Sequence, residues 1–82
     1  MKIKRGMEIK MKARIRLETF SDIRKFVKIA TRVKGRVYIT DGAGLTCNAK
    51  SLLNMLTVLK YEELWCESEN DIHFEIRNFL FD

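Results

Sequence analysis

The spacing of apolar residues changes several times along this chain, and each spacing is typical of one kind of secondary structure. Across residues 7–18, apolar and polar residues alternate without a break, as in a strand with one buried and one solvated face. Shorter alternations predict strands at residues 36–40, 45–47 and 63–67. Residues 41–44 have the composition of a hairpin turn and lie between two of these strands. The pattern therefore predicts four strands, two of which form a hairpin.

Residues 19–33 are predicted to form a short loop and an amphipathic helix with a basic outer face. One side of this helix carries six apolar residues: Ile23, Phe26, Val27, Ile29, Ala30 and Val33. The other side carries four cations: Arg24, Lys25, Lys28 and Arg32. We expect Ser21 to be the N-cap, Asp22 to interact with the positive end of the helix dipole, and Gly35 to end the helix.

Two further helices are predicted nearer the carboxyl end. Residues 51–59, capped by Asn48 or Ser51, have four apolar residues at helical spacing: Leu52, Met55, Leu56 and Leu59. A last helix, capped by Asn70 or Asp71, has a second such stripe: Ile72, Ile76, Phe79 and Leu80. Phe74 and Phe81 fall outside this stripe, which indicates either self-association into a homodimer or a wrong helix phase.

The predicted element order is β-α-β-β-α-β-α. Four half-apolar strands and three amphipathic helices bury their apolar faces if all the helices cover one face of an antiparallel sheet. A chain of 82 residues is long enough for one such core. We therefore predict a single α+β domain over residues 1–82, a two-layer open-faced sandwich in which residues 1–6 form a flexible basic leader.

The net charge of +5 is distributed unevenly. Residues 1–16 contain seven cations and one glutamate, whereas residues 61–82 contain seven carboxylates and one arginine. This asymmetry is explained either by an anionic partner at the basic end or by neutralisation between two ends that lie side by side. Neutralisation is the simpler explanation.

Several classes of protein are not supported by the sequence. No apolar run approaches the roughly 18 residues that cross a bilayer, and the basic start lacks a following apolar segment, so we expect a cytoplasmic chain without membrane contact. Cys47 and Cys66 lack the spacing of a metal or redox motif and are expected to be free buried thiols. His73 is expected to be a surface residue, and Gly42 and Gly44 belong to a hairpin rather than a phosphate-binding loop. We expect neither enzymatic activity nor a cofactor or metal.

Three blocks of residues resemble HPr, the histidine-containing phosphocarrier of the bacterial sugar phosphotransferase system. The blocks are Phe26-Val27-Lys28-x-Ala30, Val37-x-Ile39-Thr40, and Ala49-Lys50-Ser51-Leu52 with Leu59 closing the helix. Their order and spacing agree with the family from about residue 7 onward, although the last helix aligns only with a shift. The resemblance implies a sheet in the strand order 1-4-2-3 with all three helices on one face.

The residues that give this family its activity are missing from the matching positions. The family places a histidine just before the first helix, followed by threonine, arginine and proline. Here Thr19 occupies the histidine position, Ser21 the arginine position and Asp22 the proline position. A threonine hydroxyl without a base is a poor nucleophile, and Asp22 brings negative charge to the place of the phosphoryl group. The resemblance therefore implies a non-catalytic regulatory or adaptor protein.

The resemblance also implies two other sites. Ser51 matches a serine that some family members use for regulatory phosphorylation, with a simple helix cap as the alternative role. Family partners dock on the first two helices, where this chain carries Arg24, Lys28, Arg32, Leu53, Met55 and Val58. A basic surface with an apolar centre suits an acidic protein partner.

The alternative function is nucleic-acid binding through the open face of the sheet. The strand pattern puts cations and aromatic rings on that face: Lys10, Lys12, Arg14, Arg16, Tyr38 and Trp65. However, Glu63 and Glu67 share the face, and the HPr strand order places the fourth strand beside the first. Cross-strand ion pairs are therefore the simpler explanation for these cations.

Overall fold

Residues 8–81 are described by the computed structural model, so the predicted leader over residues 1–6 lies outside the described part of the chain. The strands are β1 (Met11–Ile15), β2 (Val37–Thr40), β3 (Thr46–Asn48) and β4 (Leu64–Ser68). The helices are α1 (Phe20–Arg32) and α2 (Leu52–Met55), and short 3-10 turns follow at Val58–Lys60 and Arg77–Phe79.

The four strands form one antiparallel sheet in the order β1-β4-β2-β3, which confirms the predicted α+β sheet topology. Ala13, Cys66, Ile39 and Cys47 lie at paired register positions across all four strands, and each points into the core. Alternation along β1 continues to Leu17, which is also buried. The alternation of apolar and polar residues therefore predicted both where the strands lie and which face of the sheet is buried.

Helix α1 covers the inner face of this sheet with the side that its periodicity predicted. Ile23, Phe26 and Ala30 are fully buried, while Arg24 and Lys28 are exposed. The helix ends at Arg32, and the side chain of Lys50 donates a hydrogen bond to the carbonyl of Val33 at 2.9 Å. A lysine at this end satisfies a helix carbonyl and interacts favourably with the negative end of the dipole. It also ties α1 to the loop before α2.

The predicted nine-residue second helix is interrupted. α2 spans only four residues, and after two turn residues the chain continues as the 3-10 turn Val58–Lys60. The hydroxyl of Thr57 donates to the carbonyl of Asn54 at 3.0 Å, a local bond that competes with regular helical pairing. Because the spacing tightens towards three residues per turn, Met55 and Val58 are the buried positions, whereas Leu52, Leu56 and Leu59 are exposed.

The predicted third helix is wrong, because residues 70–81 form turns and one 3-10 turn rather than an α-helix. Ile72 and Ile76 are buried, as the apolar stripe requires, but one helical turn with a bond of 3.1 Å is all that links them. Before this turn, the carboxylate of Asp71 accepts the backbone N–H of His73 at 3.0 Å, a local bond typical of loops.

The end of the described chain binds the outer edge of β1. Arg16 donates its backbone N–H to the carbonyl of Phe79 at 2.7 Å, and Phe81 donates to the carbonyl of Arg14 at 2.9 Å. These bonds satisfy backbone groups on an edge strand, which a third helix would leave open. The long-range pairing explains why the helical periodicity failed here.

Candidate functional site

The loop before α1 is the place where the resemblance puts the phosphoryl-accepting histidine, and here it is a closed helix cap. Thr19, not the predicted Ser21, is the N-cap: its hydroxyl accepts the backbone N–H of Asp22 at 3.1 Å. The carboxylate of Asp22 accepts the backbone N–H groups of Glu18 at 2.9 Å and Thr19 at 3.2 Å. This reciprocal arrangement is a capping box. Ser21 lies exposed in the first turn.

The capping box fixes the electrostatics of this loop. The backbone N–H of Glu18 lowers the pKa of the Asp22 carboxyl from its usual value, opposed by slight burial and aided by the N–H and hydroxyl of Thr19. Asp22 is therefore ionised at neutral pH, and its carboxylate is held by the N–H groups of Glu18 and Thr19, just before the helix begins. The chain thus places a negative charge of its own at the start of α1.

We expect Asp22→Ala to lower the free energy of unfolding by about 1 kcal/mol at pH 7. Because the folded-state pKa of Asp22 is lowered, its contribution is present above the unfolded-state pKa and is lost as the pH falls through the folded value. The difference between native and variant protein should therefore shrink in acid. Thermal melts from pH 7 down to pH 2 measure this, and a difference that is independent of pH would contradict the role assigned to the charge.

Ser51 is the N-cap of α2, one of the two residues predicted for that position. Its hydroxyl accepts the backbone N–H of Asn54 at 3.3 Å and the side-chain amide of Asn54 at 2.9 Å. The side chain is partly exposed. A cap of this kind accounts for the serine without a modification, and the suggested phosphorylation of Ser51 stays a prediction.

The outer side of the two helices combines cations with exposed leucines. We call this surface the helical face and define it by Arg24, Lys28, Arg32, Leu52, Leu53, Leu56 and Leu59. The four leucines are between 40% and 77% exposed, with Leu53 the most exposed. The predicted docking residues Met55 and Val58 do not belong to it, because both are fully buried. A continuous helix would place Leu52, Leu56 and Leu59 on its buried side, so the helical spacing in the sequence did not predict that these three leucines are exposed.

The part of the chain that contains both helices has a net charge of +6. Residues 19–60 hold two aspartates, Asp22 and Asp41, and eight cations: Arg24, Lys25, Lys28, Arg32, Lys34, Arg36, Lys50 and Lys60. α1 and α2 pack against each other, so their outward sides form neighbouring parts of one surface. The helical face is therefore apolar at α2 and basic along α1.

The open face of the sheet carries the predicted cations, but these are engaged within the chain. Lys12 lies 3.8 Å from the carboxylate of Glu67, and Arg14 lies 3.8 Å from that of Glu63. Both pairs cross from β1 to the β4 side of the sheet, which confirms the expected neutralisation for these residues. Lys10 and Arg16 pair with near neighbours, Glu8 and Glu18, at 3.8 Å.

The aromatic residues of the open face also have partners. Lys12 lies 5.3 Å from the ring centroid of Trp65, whose indole N–H donates to Glu63 at 2.7 Å. The guanidinium carbons of Arg14 and Arg16 lie 4.3 and 5.1 Å from the ring centroid of Phe81. Tyr38 is half-buried in β2. Stacking of bases on Trp65 or Phe81 would displace these cations.

Groups with metal-ligating or nucleophilic character are sparse in the described residues. Cys47 and Cys66 are free and buried, as predicted. Burial raises the pKa of the Cys47 thiol and raises that of Cys66 to about 12, so both are protonated at neutral pH. His73 is exposed, with its ring 2.7 Å from Asp71. Within residues 8–81 no cluster of three or more His, Cys, Asp or Glu is placed to hold a metal.

Comparisons with known proteins do not identify the chain. No family model, no curated protein and no solved structure matches it. Among the described residues, no helix has the length and apolar character needed to span a membrane.

Proposed function

We propose that this chain is an HPr-like protein that has lost phosphocarrier chemistry and acts as a non-catalytic regulator or adaptor, docking an acidic protein partner on the helical face. The observation that carries the proposal is the exposure of Leu52, Leu53, Leu56 and Leu59 beside a helix whose outer side is basic. Clustered exposed leucines are costly to leave in water, and cations around them select a partner of opposite charge.

One feature, the arrangement of the sheet and helices, supports the link to the HPr family. The sheet has the strand order that the resemblance implies, and both helices pack on it. The capping box of Thr19 and Asp22 departs from the family at the histidine position, and the proposed docking requires no phosphoryl transfer. A protein with this surface and a closed loop can compete for a partner or tether it, but it has no group to pass on.

Nucleic-acid binding through the open sheet is less well supported. That function needs free cations and free ring faces, whereas Lys12, Arg14 and Arg16 lie against carboxylates or aromatic rings of the same chain. The helical face has cations on α1, but its leucines offer apolar contact rather than stacking. An acidic protein fits both halves of this surface.

We expect charge reversal on α1 to abolish partner capture. Tagged native protein and the double variant Arg24→Glu, Lys28→Glu are used to capture partners from a cytosolic extract, and captured proteins are identified by mass spectrometry. The partner that depends on these cations is then purified and titrated at low and high salt. Reversing two steering charges should weaken binding at least tenfold, because each unfavourable pair costs about 1 kcal/mol or more at low salt.

The matched control reverses two cations on the open sheet, Lys10→Glu and Arg16→Glu, which changes the net charge by the same amount. Leu53→Ser tests the apolar half, since this side chain is 77% exposed and its loss leaves the core intact. The proposal requires that the α1 and Leu53 variants lose the partner and that the sheet variant keeps it. Equal losses from both charge variants would show that total charge, not the helical face, is recognised.

A further inference from the structure

A groove at the carboxyl end of α1 forms a second surface. We call it the C-terminal groove and define it by an apolar lining of Ile29, Val33, Ile72 and Phe74 and by the charged residues Arg32, Lys34, Asp71, Glu75 and Arg77. Its volume is about 590 Å³. Phe74 is 71% exposed, more than any other Phe, Tyr or Trp among the described residues. An apolar lining of this size that ends in an exposed aromatic is typical of an interaction surface.

The two walls of the C-terminal groove are joined by hydrogen bonds. The side-chain amide of Asn70 donates to the carbonyl of Lys34 at 2.8 Å, and the carboxylate of Glu69 accepts the backbone N–H of Arg36 at 2.6 Å. Gly35 passes beneath this contact with a φ of +82°, a conformation that glycine adopts readily. The groove is therefore preorganised, which reduces the entropic cost of filling it.

Phe74 is also held in place from within the chain. Arg77 donates from its guanidinium to the carbonyl of Phe74 at 2.7 Å, and the guanidinium carbon lies 3.9 Å from the ring centroid. One face of the ring is thus covered by a cation while much of the side chain stays in solvent. An aromatic side chain that is fixed and exposed loses little conformational entropy when a partner covers it, as at binding hot spots.

The two walls of the groove have opposite net charge. Arg32 and Lys34 lie on the α1 side, whereas the C-terminal segment carries two carboxylates, Asp71 and Glu75, and one cation, Arg77, whose guanidinium lies against the Phe74 ring. A strongly acidic partner would meet repulsion from one wall and a strongly basic partner from the other. A second copy related by a twofold axis that runs parallel to the groove sets each basic wall against the acidic wall of the other copy, because this rotation exchanges the two walls.

We propose that the C-terminal groove is the interface of a homodimer in which Phe74 of each protomer inserts into the groove of the other. This surface is distinct from the leucines of the helical face, so a dimer can still dock its partner. Arg32 belongs to both surfaces and is left unchanged in the test.

Sedimentation equilibrium of the native chain over micromolar to millimolar concentrations should show a monomer–dimer equilibrium. Phe74→Ser should raise the dimer dissociation constant by about tenfold or more, as truncation of a central aromatic does. Leu53→Ser is the matched control, because it removes an exposed apolar side chain from the helical face and should leave the dissociation constant unchanged. A native chain that is monomeric throughout, or a dimer that Phe74→Ser leaves intact, overturns the proposal.

The charge pattern has a separate test. Lys34→Glu and Glu75→Lys should each weaken the dimer, and the double variant should recover association, since it exchanges the charges of these two positions, which oppose each other across the proposed interface. The fluorescence of Trp65, which lies on the opposite side of the sheet, reports whether each variant is folded. Failure of the double variant to recover while folded contradicts the twofold arrangement.

Discussion

Incubated with radiolabelled phosphoenolpyruvate and the general upstream kinase of the sugar phosphotransferase system, the native protein is expected to take up no acid-labile label. The triple variant Thr19→His, Ser21→Arg, Asp22→Pro is expected to become labelled. The single variant Thr19→His should recover little of this activity. Each missing charge-assisted contact is worth about 1.5–3 kcal/mol, or one to two powers of ten in a rate.

The capping box explains why histidine alone is insufficient. In the Thr19→His variant the Asp22 carboxylate can still accept the backbone N–H groups of Glu18 and residue 19, as it does in the native chain. Its negative charge then lies beside the imidazole and opposes a doubly negative phosphoryl group. Asp22→Pro removes this charge, and proline is tolerated in the first turn of a helix. Ser21→Arg adds a donor suited to phosphoryl oxygens.

Loss of the cap must be separated from gain of chemistry. Replacing Thr19 costs roughly 0.5–2 kcal/mol of stability, so thermal melts of all three proteins accompany the labelling. Acid-labile label on the native chain would overturn the proposed loss of phosphocarrier activity. Label that appears in the triple variant and hardly in the single one would assign the lost chemistry to this loop.

Much of the fold was predictable because the alternation in the strands and the apolar stripe of α1 show, from neighbouring residues alone, which side of each element is buried in the core. A strand with every second residue apolar has only one face to bury, so Met11, Ala13 and Ile15 could point only to the core. The strand order needed the resemblance, since alternation does not say which strands are neighbours. The pairing of β1 with β4 then accounts for two cations of the basic end, Lys12 and Arg14, which lie against carboxylates on the β4 side.

The failures lie where local periodicity competes with contacts made elsewhere. Ile72 and Ile76 were correctly placed in the core, but the backbone after them pairs with the edge of β1, which no local window contains. In the candidate site, a threonine followed three residues later by an acidic residue is the sequence pattern of a capping box, and this pattern indicates Thr19 rather than Ser21 as the N-cap. Leu53 was correctly predicted to be exposed, but the exposure of Leu56 and Leu59 was not, because it depends on the switch to a 3-10 turn after α2.

Phe26→Ala is expected to lower the free energy of unfolding by about 3–5 kcal/mol, which is a large share of the stability of a small domain. The side chain is fully buried on α1 and meets Phe79 edge to face, with 5.6 Å between ring centroids. Removing it leaves a cavity between the helix and the C-terminal segment. Urea denaturation followed by circular dichroism measures the change.

The same substitution elsewhere on α1 supplies the control. Phe20 is about half exposed in the first turn, so Phe20→Ala should cost less than about 1 kcal/mol. Phe79→Ala should show a coupling with Phe26→Ala of about 0.5–1.5 kcal/mol beyond additivity, because the two rings are in contact. Additive effects of these two changes would mean that the C-terminal segment does not pack on α1 through this pair. A loss from Phe26→Ala no larger than that from Phe20→Ala would contradict the buried face of α1 itself.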